Sequence, residues 1–351
     1  MAYQLNDKIK DLKPYDPITG DYPIRLDANE SFLPIPNSVV SKILEQAAFT
    51  SFNRYPDSAA AELCGRFAEY HGINARNVTA GNGSDELISV ICNAFLMKGD
   101  TMMTVSPDFS MYKFYASIVE ANCVEYQKSP DLTIDVDKLI STAKEHSVKM
   151  ILFSNPCNPT SLGLKKEEVK RLITSVGALV VLDEAYMDFW DESLLEEVEN
   201  YDNLIILRTC SKAFGMAAIR LGFAVANVTL TSAVKAVKSP YNVNSLTQRI
   251  GSLVLKEKEL IHSSISEIIS SRDELYSEMK RIEASHSNNM FVYPSVTNFI
   301  FVRMDEAKEV FQALLNAGIA VRFMGDFLRI TAGSRGENAE LIKAFEAAVS
   351  I

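Results

Sequence analysis

Histidine, paired cysteine and positive charge are the scarce features of this 351-residue chain. Its four histidines form no cluster, and its five cysteines (Cys64, Cys92, Cys123, Cys157 and Cys210) include no CxxC step or ligand spacing. Such a set offers no zinc or iron–sulfur centre, and no metal is expected. Odd in number and scattered, the cysteines suit free thiols in a reducing cytoplasm. Basic residues number 35 against 45 acidic ones, a formal net charge of −10 at pH 7. That balance argues against nucleic acid and anionic membrane as partners. Any anion bound here must therefore be gripped by local arginines. No apolar run approaches the roughly 18 residues that cross a bilayer, and the opening Met-Ala-Tyr-Gln-Leu-Asn-Asp-Lys lacks a signal peptide's apolar core. Repeats, low-complexity tracts and long linkers are missing too.

What is present is an ordinary globular composition, 47% hydrophobic and 23% charged, long enough for one large and one smaller domain. Apolar runs at 101–105, 122–126, 149–153, 178–182, 204–207 and 221–226 read as strands. Several are continuous, as strands buried on both faces of a mostly parallel sheet must be. Amphipathic stretches such as 165–175 lie between them. The rhythm predicts a doubly wound α/β domain. After Pro240 the pattern changes: a long helix over 253–281, strands at 297–302, 319–322 and 327–331, and helices at 306–317 and 338–349. The expected division is an N-terminal arm with part of the small domain over 1–40, a large domain over 41–240, and a small α+β domain over 241–351. An interdomain helix is expected over about 245–281.

Ligands of open α/β sheets gather at the carboxyl ends of the strands, and several motifs fall there. Cys210-Ser-Lys-Ala-Phe-Gly-Met-Ala-Ala-Ile-Arg220 follows the apolar run 204–207. A lysine held at a strand end can form a Schiff base with an aldehyde, while Ser211 and Arg220 could hold a phosphate. The alternative is a surface Ser-Lys in a helical first turn. Val180-Val-Leu-Asp-Glu-Ala-Tyr186 delivers Asp183 at a strand tip, able to keep a pyridine nitrogen protonated, or serving only as an acidic cap. Tyr186 could hydrogen-bond such a ring's 3′ oxygen. Phe153-Ser-Asn-Pro-Cys-Asn-Pro-Thr160 carries two Asn-Pro steps whose rigid turn can present Asn158, or is merely a proline-built loop. In Thr79-Ala-Gly-Asn-Gly-Ser-Asp-Glu-Leu87, Ser84 and Asp85 open a helix whose free N–H groups can receive a phosphate, or simply cap it. A dinucleotide fingerprint would need a third glycine. Phe109, in Ser106-Pro-Asp-Phe109, could stack on a planar ring or belong to the core.

Together these motifs resemble fold-type I pyridoxal phosphate (PLP) enzymes, specifically the histidinol-phosphate aminotransferase group. Their order matches throughout, with Asn158 25 residues before Asp183 and Asp183 29 before Lys212. Lys13-Pro-Tyr15, Leu26-Asp-Ala-Asn-Glu30, Asn53-Arg-Tyr-Pro-Asp57 and Phe327-Leu-Arg-Ile-Thr331 extend the likeness over nearly the whole chain. The resemblance implies PLP as cofactor and Lys212 as its anchor and general base, with Asp183 and Tyr186 as further catalytic groups. It implies that Phe109, Asn158, Ser84, Asp85, Thr209, Ser211 and Arg220 hold the cofactor, joined by Tyr55 from a second copy in a homodimer with shared active sites. Tyr15, Asn29, Arg322 and Arg329 are implied to bind substrates, an amino donor and a 2-oxo acid acceptor. Having both arginines favours histidinol phosphate with a dicarboxylate such as 2-oxoglutarate. Aromatic aminotransferases and threonine-phosphate decarboxylases share most of the pattern. A non-catalytic PLP-binding regulator normally adds a DNA-binding module, for which this acidic chain leaves no room. Three positions depart from the group's pattern. Ser161 separates Asn-Pro-Thr from its usual glycine, Ala218 stands where many relatives have glycine, and Phe109 replaces a frequent tyrosine.

Overall fold

Strands that carry apolar residues at every position must be covered on both sides, and the central ones here are. The structure is a computed structural model and describes residues 3–14, 18–286 and 289–349. Among these the strands are β1 (Ile24–Leu26), β2 (Val78–Gly81), β3 (Thr101–Ser106), β4 (Asn122–Gln127), β5 (Met150–Ser154), β6 (Leu179–Asp183), β7 (Leu204–Thr209), β8 (Gly222–Ala226), β9 (Met290–Val292), β10 (Phe299–Met304), β11 (Ile319–Phe323) and β12 (Phe327–Thr331). Seven form one sheet in the order β2-β8-β7-β6-β5-β3-β4, parallel except for β8. Five form a second sheet, β1-β11-β12-β10-β9, in which only β1 and β11 run parallel.

Alternation along each central strand feeds two cores. Ile151, Phe153, Val180, Leu182, Leu204 and Ile206 pack with Leu63, Phe67, Leu139 and Leu172 on one face. Met150, Leu152, Val181, Ile205 and Leu207 pack on the other with Leu87, Ile88 and Ile91 of the helix Gly83–Phe95. Those three helix side chains are fully buried, each contributing about 1.5–3 kcal/mol, and they fix the helix's N-terminus at the end of the sheet. The chain passes outward from β3 to β4, then returns to the other side of β3 as β5. This reversal opens a crevice at the carboxyl ends of β3, β5 and β6.

One expectation fails in detail. The stretch read as a single helix is two, Ser245–Val254 and Lys258–Ser285, separated by tight turns in which Glu257 N–H bonds Val254 O at 2.9 Å. The apolar faces have different destinations. Gly251 lies against Leu221 and Leu63 of the first core. The longer helix buries Ile261 and Ile268 in that core, but Leu275, Met279 and Ile282 in the core of the second sheet. The longer helix thus bridges the two cores, and periodicity alone does not reveal the break that precedes it. The short strands β1, β2 and β9 were also illegible, since three or four residues carry too little pattern.

The ends of β6 and β7 are fastened by a buried ion cluster. Arg208 Nη1 bonds Glu184 Oε2 at 3.1 Å and Nη2 pairs with Asp188, all three side chains being buried. Removing the guanidinium would strand two carboxylates without a cation. Arg208→Met should lower the unfolding free energy by about 3–5 kcal/mol, measured by urea denaturation of the full chain, whereas an exposed ion pair would cost under about 1 kcal/mol.

Candidate active site

Where β5, β6 and β7 end, the chain places chemistry side by side, in register Ser154↔Asp183↔Leu207. Asp183 is buried at the tip of β6. Its Oδ2 accepts the Tyr112 hydroxyl at 2.8 Å and its Oδ1 the Ala185 N–H at 3.1 Å. Burial pushes the carboxyl up to about 7, the Tyr112 bond opposing this and the charges of Asp85 and Asp108 adding to it. Lys212 follows β7, half-buried, its Nζ donating to Ala28 O at 2.8 Å and standing 6.0 Å from the centre of the Tyr186 ring. Burial, and then the positive charge of Arg329, bring its amine down from 10.5 to about 8. A lysine so tuned is neutral often enough near neutrality to be a nucleophile or a base.

Asn158 and Tyr186 come from the loops after β5 and β6. Asn158 Oδ1 accepts Arg329 Nη1 at 2.5 Å, and Asn158 N–H bonds Ser154 Oγ at 3.1 Å. Tyr186, buried, accepts Asn29 Nδ2 at 2.9 Å, and burial raises its phenol. Arg329 also donates to Asp27 O at 2.6 Å. Arg322 lies directly opposite Arg329 across the β11–β12 ladder, so both guanidinium stems leave the same face of the second sheet.

A second group gathers at the N-terminus of the helix Gly83–Phe95. Arg220 sits between Ser211 Oγ, at 3.3 Å from Nη1, and Asp85 Oδ2, at 3.3 Å from Nη2. Thr209 Oγ1 donates to Ser211 Oγ at 3.1 Å, and Ser84 lies in the helix's first turn. Whether these residues fit the PLP that the resemblance implies is decided by space and donor chemistry. A Cβ on Gly222 would fall 2.5 Å from Ser84 N, and one on Gly83, whose φ is +80°, 2.8 Å from Arg220 Nη2. Glycines alone let the strand, the helix N-terminus and the guanidinium converge. A cation, hydroxyls and unpaired helix N–H groups form a phosphate-type donor set, while Asp183 and Lys212 supply an acid and an amine one strand apart. The set fits.

Phe109 stands at the crevice, edge-on to Tyr112 with centroids 5.5 Å apart. Tyr55 is 80% exposed and stacks on Tyr241 at 4.4 Å; among the described residues no hydrogen bond joins it to Arg220 or Ser211. Tyr15 lies outside the described residues. Sequence reasoning missed Tyr112, although it stands three residues after Phe109, and Asp108, whose carboxylate takes Ser154 N–H at 3.0 Å and pairs with Ser154 Oγ. It also missed Lys128, which ties the Pro107 carbonyl (2.8 Å) to Cys157 Sγ (3.0 Å) and so braces the Phe109 loop against the Asn158 loop.

Comparison with known proteins shows the family and the fold. Residues 22–345 match the family described as aminotransferase class I and II. The chain is 41% identical to a histidinol-phosphate aminotransferase of Clostridium novyi (strain NT) over 96% of this chain and 95% of the relative. It is 42% identical to one of Clostridium kluyveri over 94% of each. The crystal structure of histidinol-phosphate aminotransferase from Sinorhizobium meliloti, in complex with pyridoxal-5′-phosphate, superposes with a TM-score of 0.88, 22% identity, and 99% of this chain and 98% of that one covered. At that identity the likeness speaks for the fold.

Asp183 and Lys212 load the cofactor-free protein with opposite pH dependences. Asp183 is raised when folded, so its contribution to stability is full below its ordinary 3.8 and is lost as pH rises through about 7. Lys212 is depressed, so its contribution is full above 10.5 and is lost as pH falls through about 8. Asp183→Asn should therefore stabilise the cofactor-free protein at pH 8 and confer little at pH 4, measured by urea unfolding at both values. A pH-independent difference would mean that Asp183 titrates near its ordinary value.

Proposed function

The chain belongs to the class I and II aminotransferases, and from that premise we propose that it moves the amino group of L-histidinol phosphate to 2-oxoglutarate. The observation that carries this reading is the convergence of Lys212, Asp183, Tyr186, Asn158 and Arg329 on one cleft, with Arg322 paired beside Arg329. The relatives named histidinol-phosphate aminotransferases, 41–42% identical over nearly their full length, support the substrate.

PLP, the family's cofactor, supplies when bound an electron sink for the carbanion left as a substrate Cα loses its proton. The chain's own residues do the rest. Lys212 Nζ would be the group that holds and moves that proton, a task suited to an amine near 8. Asp183, buried at the tip of β6, would pair with the ring nitrogen. Tyr186 and the Asn158 amide would hold the 3′ oxygen, and Phe109 would stack on the ring. Arg220, Ser211, Thr209, Ser84 and Asp85, with the helix N-terminus, would hold the phosphate. Arg329 receives a substrate carboxylate as a bidentate pair. Arg322 takes the phosphate of histidinol phosphate, with Tyr15 as its companion. In the full exchange the donor's amino group replaces the keto acid's oxygen, and the water taken up by the donor is returned by the acceptor.

Two further features belong to the proposal. Exposed Phe49, Phe52, Tyr55 and Tyr241 make an apolar surface that suits a homodimer, in which Tyr55 would serve the other copy's phosphate site. Free cysteines throughout suit a cytoplasmic enzyme, with residues 41–240 and 241–351 acting as its large and small domains.

The test is an absorption spectrum of the purified protein with PLP, before and after L-histidinol phosphate. A band near ~420 nm that falls as one near ~330 nm grows is expected for an amine-accepting lysine-bound cofactor. Lys212→Ala should lose the first band and at least ~10²–10⁴ of the turnover. Arg322→Ala should raise KM for histidinol phosphate about 10–100-fold, the size of a lost charged hydrogen bond, and leave the glutamate half-reaction nearly unchanged. A band that ignores histidinol phosphate but answers an aromatic amino acid would overturn the substrate; no band would overturn the enzyme.

A further inference from the structure

Tyr186 can favour negative charge on the cofactor's 3′ oxygen only if its hydroxyl proton points there. We propose that Asn29 is the positioning residue that dictates this direction, reaching from the loop after β1 to a tyrosine in the loop after β6. The inference rests on the function proposed above and goes beyond it, because Asn29 is thereby assigned to Tyr186 and not to a substrate.

The direction follows from counting hydrogens. Thr331 Oγ1, at the end of β12, accepts the Asn29 backbone N–H at 3.0 Å. Its one hydrogen is then free for Asn29 Oδ1, 3.1 Å away. With Oδ1 taken by a donor, the other end of the amide, Nδ2, faces Tyr186 Oη at 2.9 Å. A phenol oxygen that accepts there keeps its own proton for a different partner. The amide has little freedom to do otherwise. Asn29 is 1% exposed, Asn298 Nδ2 holds its carbonyl at 3.0 Å, and its φ of +54° is a left-handed turn that asparagine tolerates better than most residues. Tyr186 is equally fixed, edge-on to Phe299 with centroids 5.2 Å apart.

The charged and titratable groups facing Tyr186 come from every neighbouring element: Arg329 on β12, Asp183 on β6, Cys157 from the loop after β5, and Lys212 after β7. None is altered by substitutions at Asn29 or Thr331, and asparagine and alanine are both uncharged.

The experiment is a pH titration of the visible absorption of the PLP-loaded protein. Tyr186→Phe should raise the midpoint, since a donor to the 3′ oxygen is lost. Asn29→Ala should raise it by about 0.5–1 pH unit, the size of one neutral hydrogen bond. In a Tyr186→Phe background Asn29→Ala should add nothing, because the residue acts only through the phenol. Thr331→Val should shift the midpoint in the same direction while leaving Asn29 in place, and it poses the same question if Asn29→Ala does not fold. An unchanged midpoint in the folded single variants, or additive shifts in the double variant, would overturn the role of Asn29. A wild-type protein without any cofactor band would instead overturn the function on which the inference rests.

Discussion

Keeping a carboxylate dry at the tip of β6 is the constraint on which this structure turns. Asp183 can sit near 7 only because the strand beneath it is central, with β5 and β7 on either side and apolar cores above and below. Water is kept out by the fold, and one hydroxyl, that of Tyr112, limits how far the carboxyl rises. The period of two along a strand then does something further. Asp183 points into the cleft, so Glu184 points away, to Arg208; Arg208 faces Glu184, so Thr209 returns to the cleft beside Ser211. Each strand end thus contributes one residue to the chemistry and its neighbour to a buried ion cluster that holds the two ends in register.

The second sheet, through Arg329, and the loop after β1, through Asn29, reach into the cleft. Arg329 grips the Asn158 carboxamide and Asn29 grips the Tyr186 hydroxyl, both through bonds shorter than 3 Å. Asp27, just after β1, and Thr331, at the end of β12, back these two residues. A displacement of the small sheet would therefore be felt by both groups that flank the 3′ oxygen. The helix Lys258–Ser285, rooted in both cores, limits such a displacement to motions that keep Leu275 and Met279 packed.

Much of this was legible from residue order, and the boundary of legibility has a physical cause. β5, β6 and β7 announce themselves because burial on both faces demands unbroken apolar runs. Asp183, Asn158 and Lys212 follow because each stands at or just after the end of such a run, and Arg220 because it lies eight residues past Lys212. The missing pieces are contacts between segments far apart in sequence. Tyr112 meets Asp183 across 71 residues, Asn29 meets Tyr186 across 157 and Thr331 across 302. No local pattern marks a tyrosine on an amphipathic helix as the partner of an aspartate on another element. Asn29 was placed near substrate because the resemblance put it there; only the hydrogen-bond directions turn its carboxamide towards Tyr186.

Ser161 carries the same lesson to a position where the pattern is broken. It adopts φ +62°, the left-handed conformation that glycine takes without cost. A serine there bears roughly 1 kcal/mol or more of backbone strain, and its side chain is fully buried. The strain is offset locally: Oγ donates to Pro294 O at 2.8 Å, and Val296 N–H returns to Ser161 O at 3.1 Å. Glycine could make the second bond but not the first. What looks like a departure in the Asn158 loop is thus an added tie between that loop and the segment leading into β10. It fastens to the second sheet the same loop whose Asn158 the second sheet already holds through Arg329. The substitution and the arginine tie one loop from two sides, so a change at either residue should be judged by its effect on the other.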